Sequence, residues 1–305
     1  MRIGVYSIET IDSVSEIERY LKPYCSLMNY RQLFMSKEWI KSYCIVYKPN
    51  KMVFVYNTYT QDYILFEKQG STLCCLGDPL NDFNLCNIRE AHELEEWLHI
   101  IEQIKAIDRT TITLNCVTTR LSNGSIDALT MGMMIDLIAS QNRKISSKYK
   151  RMQKKYCDTI QYNRITPNNP IFTQVLDHLL IGRRMVLSAK APDNNRYSLD
   201  ERFTAFIQLL CSQHSLHDFV YIDYGIVGDS IVSIVLFFQN NNDALYYLRW
   251  CLRSSNKISY GPLLDLWSIN QDFLKGYHII DFSRGNDSYK YRLGFNEYKL
   301  YNYVI

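Results

Sequence analysis

Short apolar runs bounded by polar or glycine-containing turns mark the first part of the chain after residue 50. The runs at residues 53–56, 63–66 and 73–76 have the length and the flanking turns of β-strands. Residues 111–116 alternate apolar and polar side chains, which predicts a fourth strand. Residues 1–50 show no comparable pattern, and we expect an irregular or helical segment there.

Helical periodicity marks residues 87–107, where apolar and acidic positions separate onto different faces. The segment predicts an amphipathic helix, and residues 126–140 predict another. The apolar positions with helical spacing are Leu94, Trp97, Leu98, Ile101, Ile104 and Ile107.

The second half of the chain repeats this order after a turn-rich loop at residues 163–170. Two helices come first, at residues 171–187 and 200–214. Three strands follow at residues 218–224, 230–238 and 244–250, and the first two form a predicted hairpin. The chain then continues with a helix at 261–274, a strand at 277–282 and a last strand at 298–304.

Both halves therefore follow the order strand, strand, strand, helix, strand, which predicts a duplicated unit. The predicted fold is α/β, with an α+β mixed sheet in each of two tandem domains. The boundary is placed in the strongly basic segment 143–155, which gives domains at residues 1–142 and 143–305. A length of 305 residues agrees with two domains.

Composition narrows the function classes. The 34 basic and 31 acidic residues give a net charge of +3, too balanced for a general nucleic-acid binder. The N-terminal residues lack the apolar core of a signal peptide, and no apolar stretch is long enough to span a membrane. Nine cysteines without a CxxC pair favour buried free thiols in a reducing compartment, so we expect a cytoplasmic protein.

The strand at 244–250 and the helix after it form the first candidate site. Gly261 permits close approach of a ligand to the backbone, and Pro262 suits the first turn of a helix. The amides that open this helix, with its dipole, predict an anion site for a pyrophosphate, although a plain helix start has the same sequence. Tyr260, Gly261 and Leu263 are the predicted donor-binding residues of this segment.

The segment 281–295, DFSRGNDSYKYRLGF, forms the second candidate site. Arg284, Lys290 and Arg292 alternate with Tyr289 and Tyr291, and cations beside rings can hold phosphate and stack on a purine. A solvated charged loop has the same pattern, so both interpretations stay open.

This segment resembles the FGRGDxxYKxRxG signature of GNAT-like acyltransferases of the CelD/BcsL type, which are relatives of FemAB. Asn286 stands where that family often has an acid, and Ser288 where it often has proline. Three further segments are similar to family motifs: FMSKEWIKSY at 34–43, LGDPLNDF at 76–83 and SYGPLLDLW at 259–267. The basic run at 148–155 is similar to the helix that opens the family's second half.

The resemblance implies two tandem GNAT-like domains and an acyl-CoA donor, with aminoacyl-tRNA as the donor of FemAB relatives. Donor binding is expected in the second domain only, because Asp78 and Asp82 in the first would repel a pyrophosphate. An amine acceptor would attack the thioester directly, with a backbone N–H stabilising the oxyanion and side chains serving as general base and acid.

Specific roles follow from the ends of the predicted strands. Arg284 and Lys290 are predicted to bind the donor. The candidate catalytic residues are Asp223, Tyr224, Asp281 and Tyr289, and the candidate substrate-binding residues are Tyr247, Arg249 and Trp250.

Several alternatives remain open from the sequence. The basic run at 143–155 fits a solvated helix, an anion site, or a contact with the phosphates of a tRNA acceptor stem. His214 and His217 have no third ligand nearby in sequence, so no metal is expected. GxxxxGK[ST], GxSxG and HExxH motifs are absent. Three functions are compatible with the sequence. The first is an acyl-CoA-dependent N-acyltransferase acting on an amine of a sugar, a sugar nucleotide or another small acceptor; the others are an aminoacyl-tRNA-dependent transferase and a non-catalytic binding scaffold.

Overall fold

A computed structural model of the chain divides into two compact units. The first contains Met1–Met131 together with Lys299–Ile305, and the second contains Gly132–Tyr298. The structure describes residues 2–3, 6–27, 29–78, 80–84, 93, 95–97, 99–100, 102–103, 111–117, 120, 128–136, 145–190, 200–253 and 258–304.

The first unit is built on strands in the order β1-β2-β3-β4-β5-β6-β13. Short 3-10 turns and helix α1 (Lys37–Tyr47) lie between β2 and β3, and Ser36 caps α1 by accepting from the Trp39 N–H. The strands are β1 (Arg2–Ile3), β2 (Tyr6–Ile11), β3 (Met52–Asn57), β4 (Tyr63–Gln69), β5 (Thr72–Cys75), β6 (Thr111–Val117) and β13 (Asn296–Val304).

The second unit has the strand order β7-β12-β11-β10-β9-β8. Its strands are β7 (Ala128–Asp136), β8 (Gln161–Ile165), β9 (Val220–Val227), β10 (Ser230–Asn240), β11 (Asp243–Cys251) and β12 (Ile279–Arg284). Its helices are α2 (Ser147–Tyr156), α3 (Phe172–Lys190), α4 (Glu201–Cys211), α5 (Tyr260–Leu274) and α6 (Ser288–Arg292).

A parallel pair of strands occurs at the same place in the order of each unit. β4 and β5 pair antiparallel, and β5 then pairs parallel with β6. In the second unit β10 and β11 pair antiparallel, and β11 pairs parallel with β12. A parallel pair needs a crossover connection, which α5 supplies in the second unit. The described residues between 93 and 103 are helical and supply it in the first. The prediction of a mixed α/β fold with a repeated order is confirmed.

Each unit has its own apolar core. In the first unit, Val55, Leu114 and Val117 are fully buried beside Tyr303. In the second, Phe237, Leu266 and Ile280 are fully buried with Met133 and Ile135. Met133 and Ile135 occupy alternate positions of β7, and Leu266 packs onto this face of the sheet from helix α5. Burial of one face of the sheet in this way specifies the register of its strands.

Three predicted elements are wrong. Residues 128–136 form strand β7 instead of part of a helix, because Ile135 and Asp136 pair with β12. Residues 6–11 form β2, which pairs with β3. Residues 161–165 form β8, which overlaps the predicted loop and pairs with β9. These three strands gain their structure from pairing that lies far away in sequence.

The compact units differ from the predicted domains at two places. The second unit already includes β7 from Gly132, and the residues from Lys299 lie with the first unit. The segment 137–144, next to the predicted boundary, lies outside the described residues. Restriction of donor binding to the second half stays a prediction.

Candidate functional site

A cleft with a volume of about 400 Å³ opens in the second unit between helices α3 and α5. Buried residues, among them Ile234 and Asp265, form its floor, whereas exposed Arg253 and Asp287 lie at its rim. It is lined by Arg183, Val186, Leu187, Ile234, Arg249, Trp250, Cys251, Arg253, Gly261, Leu264, Asp265, Asp287 and Tyr289.

The N-terminus of α5 forms one wall of this cleft. Ser259 precedes the helix without capping it through its side chain, which leaves the first amides for a ligand. Gly261 lies in the first turn, and a Cβ added there would come within 3.1 Å of Cys251 Sγ. The Cys251 side chain at the end of β11 therefore packs closely against the start of the helix, where glycine leaves room for it. The Leu263 N–H already donates to the Ser259 carbonyl at 3.2 Å, within the helix.

Arg249 crosses the cleft floor from strand β11. Its guanidinium stacks over Phe282, 4.1 Å from the ring centroid, and donates through Nη1 to the Tyr289 hydroxyl. Its Nη2 lies 3.3 Å from Asp265 Oδ1 but makes no hydrogen bond. Burial opposes the charge of Arg249, yet Asp265 and Tyr289 raise its pKa overall. Arg249 thus stays cationic between a carboxylate and a phenol.

Tyr289 lies in α6 and lines the cleft. Its oxygen accepts from Arg249, so its own O–H is directed elsewhere. Burial raises the pKa of Tyr289 above its usual value, against the opposing effect of Arg249. The phenol therefore stays protonated at neutral pH and can act as a proton donor.

Helix α3 supplies the opposite wall. Arg183 donates through Nη1 to the Arg249 carbonyl at 3.3 Å, and its buried Nε has no hydrogen-bond partner. Gly182 lets the indole of Trp250 pack against α3, since a Cβ there would lie 2.5 Å from Trp250 Nε1. His178 meets the same indole edge to face at 4.8 Å. The position of Trp250 in the wall is thus set by α3.

Asp223 was predicted to be catalytic, but the structure places it in a buried ion cluster. Its two carboxylate oxygens each accept from Arg164 at 2.7 Å, and Arg164 also pairs with Asp272 at 2.5 Å. Tyr246 donates to the other Asp272 oxygen at 2.6 Å. The arrangement joins β8, β9, β11 and α5, so Asp223 serves the packing of the sheet against the helix.

Asp281 and Lys290 are also held by the fold. Asp281 is fully buried and accepts from the Tyr298 hydroxyl at 2.8 Å and from the Ser283 N–H at 2.7 Å. Lys290 is 3% exposed, and its ammonium donates to the carbonyls of Phe282, Arg284 and Gly285 at 2.9, 2.9 and 2.7 Å. Lys290 was predicted to bind the acyl donor. Its ammonium group instead uses its three N–H groups for hydrogen bonds within the 282–290 segment.

Five further predicted residues lie outside the cleft lining. Tyr224 and Tyr247 are buried in the sheet, and Tyr247 packs edge to face on Phe238. The Leu263 side chain is buried, and Arg284 ends strand β12 opposite Gly132. Tyr260 is half-buried and packs against the cluster of Ile160 and Leu263. The predicted residues brought together in the cleft are Arg249, Trp250, Gly261 and Tyr289.

Three functional candidates were missed from the sequence. Asp265 falls one turn after Gly261 in α5, which is a usable signal, because that spacing puts both on one helix face. Arg183 directly follows Gly182 in an apolar helix, which is a weaker signal. Nothing in the sequence pairs Asp287 at the rim with these residues.

Two findings bear on other classes of site. No group of three or more His, Cys, Asp or Glu side chains within the described ranges is placed to hold a metal ion. Among those same residues, no helix is long and apolar enough to cross a bilayer.

The cysteines that the structure describes are free thiols, and Cys74, Cys75, Cys116 and Cys211 are buried.

The chain was compared with known proteins. No family model matches it, and no curated protein sequence does. The C-terminal domain of a protein assigned as a lysylphosphatidylglycerol synthetase, from Agrobacterium fabrum, matches with a TM-score of 0.60 at 9% identity, over 96% of this chain and 92% of that chain. FemX matches with a TM-score of 0.55 at 8% identity, over 97% of each chain. L-PGS from Bacillus licheniformis matches with a TM-score of 0.52 at 12% identity, over 87% and 90%.

At these identities the matches concern the fold, and they extend along both units. The repeated order of three strands, a helix and a strand was predicted from the sequence, and the structure adds a parallel pair at the same place in each unit. The chain therefore folds as two tandem α/β units with a repeated strand order, a fold it shares along nearly its whole length with the lysylphosphatidylglycerol synthetase domain and FemX.

Proposed function

We propose that the chain is an N-acyltransferase that moves an acyl group from acyl-CoA to the amine of a sugar, a sugar nucleotide or another small acceptor. The observation that carries this proposal is the cleft of about 400 Å³, which combines the open N-terminus of α5 with Arg183, Arg249 and Arg253. Amides at a helix N-terminus and guanidinium groups both recognise phosphate. The cleft is thus suited to a diphosphate-bearing carrier.

Donor binding would place the pyrophosphate at Tyr260 and Gly261, where the first-turn amides of α5 lie. Arg253, exposed at the rim, would meet the outer phosphates, and the Trp250 indole would cover the carrier. Apolar wall residues such as Val186 and Leu187 offer a surface for the acyl chain or the pantetheine arm.

The chemistry that these side chains support is direct transfer. The amine attacks the thioester carbon, a backbone N–H stabilises the oxyanion, and the C–S bond breaks. Tyr289, held in its protonated form, would give its proton to the departing thiolate. Arg249 would orient Tyr289 and hold negative charge on the donor or the acceptor.

The donor is tested by calorimetry and thermal shift with acetyl-CoA and longer acyl-CoA esters. We expect the wild type to be stabilised by a CoA ester, and Arg253→Gln to weaken that binding by about tenfold through a lost charge-assisted contact. Arg184→Gln, on the same wall helix but outside the lining, is the matched control and should bind as the wild type does. Equal affinity of both variants, or no response to any CoA ester, would remove this assignment.

A second candidate is an aminoacyl-tRNA-dependent transferase, favoured by helix α2. Tyr149, Met152 and Tyr156 turn one face of α2 to the core, where they pack among residues of the first turns of α5. The other face exposes five cations, and the sequence of the helix contains no acid: Lys148, Lys150, Arg151, Lys154 and Lys155. Such a face suits an RNA phosphate backbone.

Two of the similar folds carry names that refer to lysylphosphatidylglycerol synthesis or its abbreviation, L-PGS, and a third is FemX. The two candidates separate on one comparison. Two results together would favour this second function. Charged tRNA would stabilise the wild type but not the variant Lys150→Gln/Lys154→Gln, and CoA esters would give no response. Response to neither donor would leave a non-catalytic scaffold.

A further inference from the structure

The Asp265 carboxylate lies buried on the cleft floor and accepts few hydrogen bonds from the protein. The residue is 3% exposed, yet it lines the cleft. Its one polar contact among the described residues is the ion pair with Arg249 Nη2 at 3.3 Å, which lacks hydrogen-bond geometry. Buried carboxylates normally accept several hydrogen bonds. Asp265 therefore keeps acceptor capacity beside the space that a substrate would fill.

The other buried carboxylates of this unit differ from Asp265 in this respect. Asp223 is saturated by Arg164, and Asp281 by Tyr298 and Ser283. Asp272 accepts from Arg164 and Tyr246. None of these three lines the cleft. Asp287 does line it but lies exposed at the rim, where water would satisfy it.

Charged groups from several elements determine the protonation state of Asp265. Burial raises its pKa to about 6, and Asp223 acts in the same direction. Arg249 on β11 and Lys290 on α6 lower it. Tyr289 faces the same Arg249 from α6 and stays neutral. With a pKa of about 6, the Asp265 carboxylate is mainly ionised at neutral pH and is a stronger base than an exposed carboxylate. Both properties suit a general base.

We propose that Asp265 binds the acceptor's amino group on the cleft floor and accepts its proton, which makes the acceptor an amine that carries positive charge at neutral pH. This inference rests on the proposed acyl transfer and names a residue and an acceptor class for it. In the proton transfer Arg249 is a positioning residue, because it acts on this step through Asp265 and Tyr289, apart from any contact that it makes with charge on the donor.

The proton balance of the step is complete. The ammonium gives one proton to Asp265, and the neutral nitrogen then attacks the acyl carbon. The C–S bond breaks, Tyr289 protonates the thiolate, and the second nitrogen proton restores Tyr289. Asp265 releases its proton to solvent. The net change is ammonium plus thioester to amide, free thiol and one proton.

Asp265→Asn tests the proposal, because asparagine keeps the shape but cannot accept a proton. The donor is acetyl-CoA, the acceptors are glucosamine and hydroxylamine, and free thiol is measured at neutral pH. Hydroxylamine is uncharged there and needs no deprotonation before attack. We expect the variant to lose about 10²–10⁴-fold in rate with glucosamine, but less than tenfold with hydroxylamine. Asp265→Glu should recover part of the glucosamine rate.

Three comparisons make the result decisive. Asp229→Asn, in an exposed hairpin turn, is the matched control and should keep the wild-type rates. Unchanged acetyl-CoA affinity in Asp265→Asn, measured by calorimetry, shows that the variant is folded and the donor site intact. Equal losses with both acceptors, or a loss confined to Asp287→Asn, would overturn the assignment of Asp265.

A binding measurement needs no turnover and separates this inference from the donor question. Calorimetry with a set of primary amines and their N-acetyl derivatives should show amine binding to the wild type, at least tenfold weaker binding to Asp265→Asn, and no binding of the acetylated forms. If no amine binds the wild type, or if the variant binds amines equally well, Asp265 is not the acceptor site, whichever donor the protein uses.

Discussion

At the scale of single residues, the role of Lys290 is set by burial more than by charge. The segment around it was predicted to bind a phosphate. The ammonium group is instead buried and donates hydrogen bonds to three backbone carbonyls. Gly285 beside it has a φ of +94°, a conformation that suits glycine. The segment therefore turns tightly around Lys290, and this turn leads to α6 and Tyr289 in the cleft.

Lys290→Met is expected to lower the free energy of unfolding by about 3 kcal/mol, because three buried carbonyls lose a charged donor. Urea unfolding measures this loss. Lys154→Met, at an exposed position of α2, is the control and should stay within about 0.5 kcal/mol of the wild type. If Lys290→Met instead keeps full stability and loses only CoA affinity, the original donor-binding role returns.

At the scale of elements, the Arg164 cluster fastens strands β8, β9 and β11 to helix α5. Two carboxylates, Asp223 and Asp272, share one guanidinium, so the cluster carries a net negative charge inside the unit. Burial raises the pKa of Asp272 to about 6, against Arg164 and the Tyr246 hydrogen bond. Folding therefore favours the protonated form of Asp272 over the ionised form, relative to the unfolded chain.

The resulting pH dependence has a definite sign. The pKa of Asp272 is about 6 in the folded state and ordinarily 3.8, so its stabilising contribution is complete below about pH 4 and is lost as the pH rises through 6. The unfolding free energy of the wild type relative to Asp272→Asn should fall by about 3 kcal/mol across that window. Denaturant melts at several pH values measure it, with exposed Asp158→Asn as control. A constant difference would show that Asp272 titrates normally.

Sequence patterns predicted the elements whose own residues carry the signal. The strands at 53–56 and 63–66 have clear apolar runs and turns, and α5 begins within one residue of the Gly261–Pro262 signal. β7 was missed because its sequence, ALTMGMMID, lacks the strand alternation of a one-sided sheet and becomes a strand through pairing with β12. Asp265 was missed because its place in the cleft depends on where α3 and β11 lie.

At the scale of the whole molecule, the chain closes its first unit with its last strand. The residues from Lys299 belong to the first unit, and Tyr303 and Val304 of β13 pair with Leu114 and Thr113 of β6. Leu300 is fully buried and Tyr303 nearly so. Completion of the first unit therefore depends on residues that follow the whole second unit in sequence, whereas the residues of the cleft all precede that segment.

Deletion of residues 299–305 should therefore destabilise the first unit and spare ligand binding in the second. Loss of the buried Leu300 and Tyr303 side chains removes about 1.5–3 kcal/mol each, before the strand hydrogen bonds are counted. Hydrogen exchange should show faster exchange of β6 amides, with β10 amides protected as in the wild type. Asn302→Ala is the milder comparison, since it removes the hydrogen bond that Asn302 Oδ1 accepts from the Cys116 N–H at 2.8 Å and should cost about 1 kcal/mol. If β6 stays protected in the truncated chain, β13 does not complete the first unit.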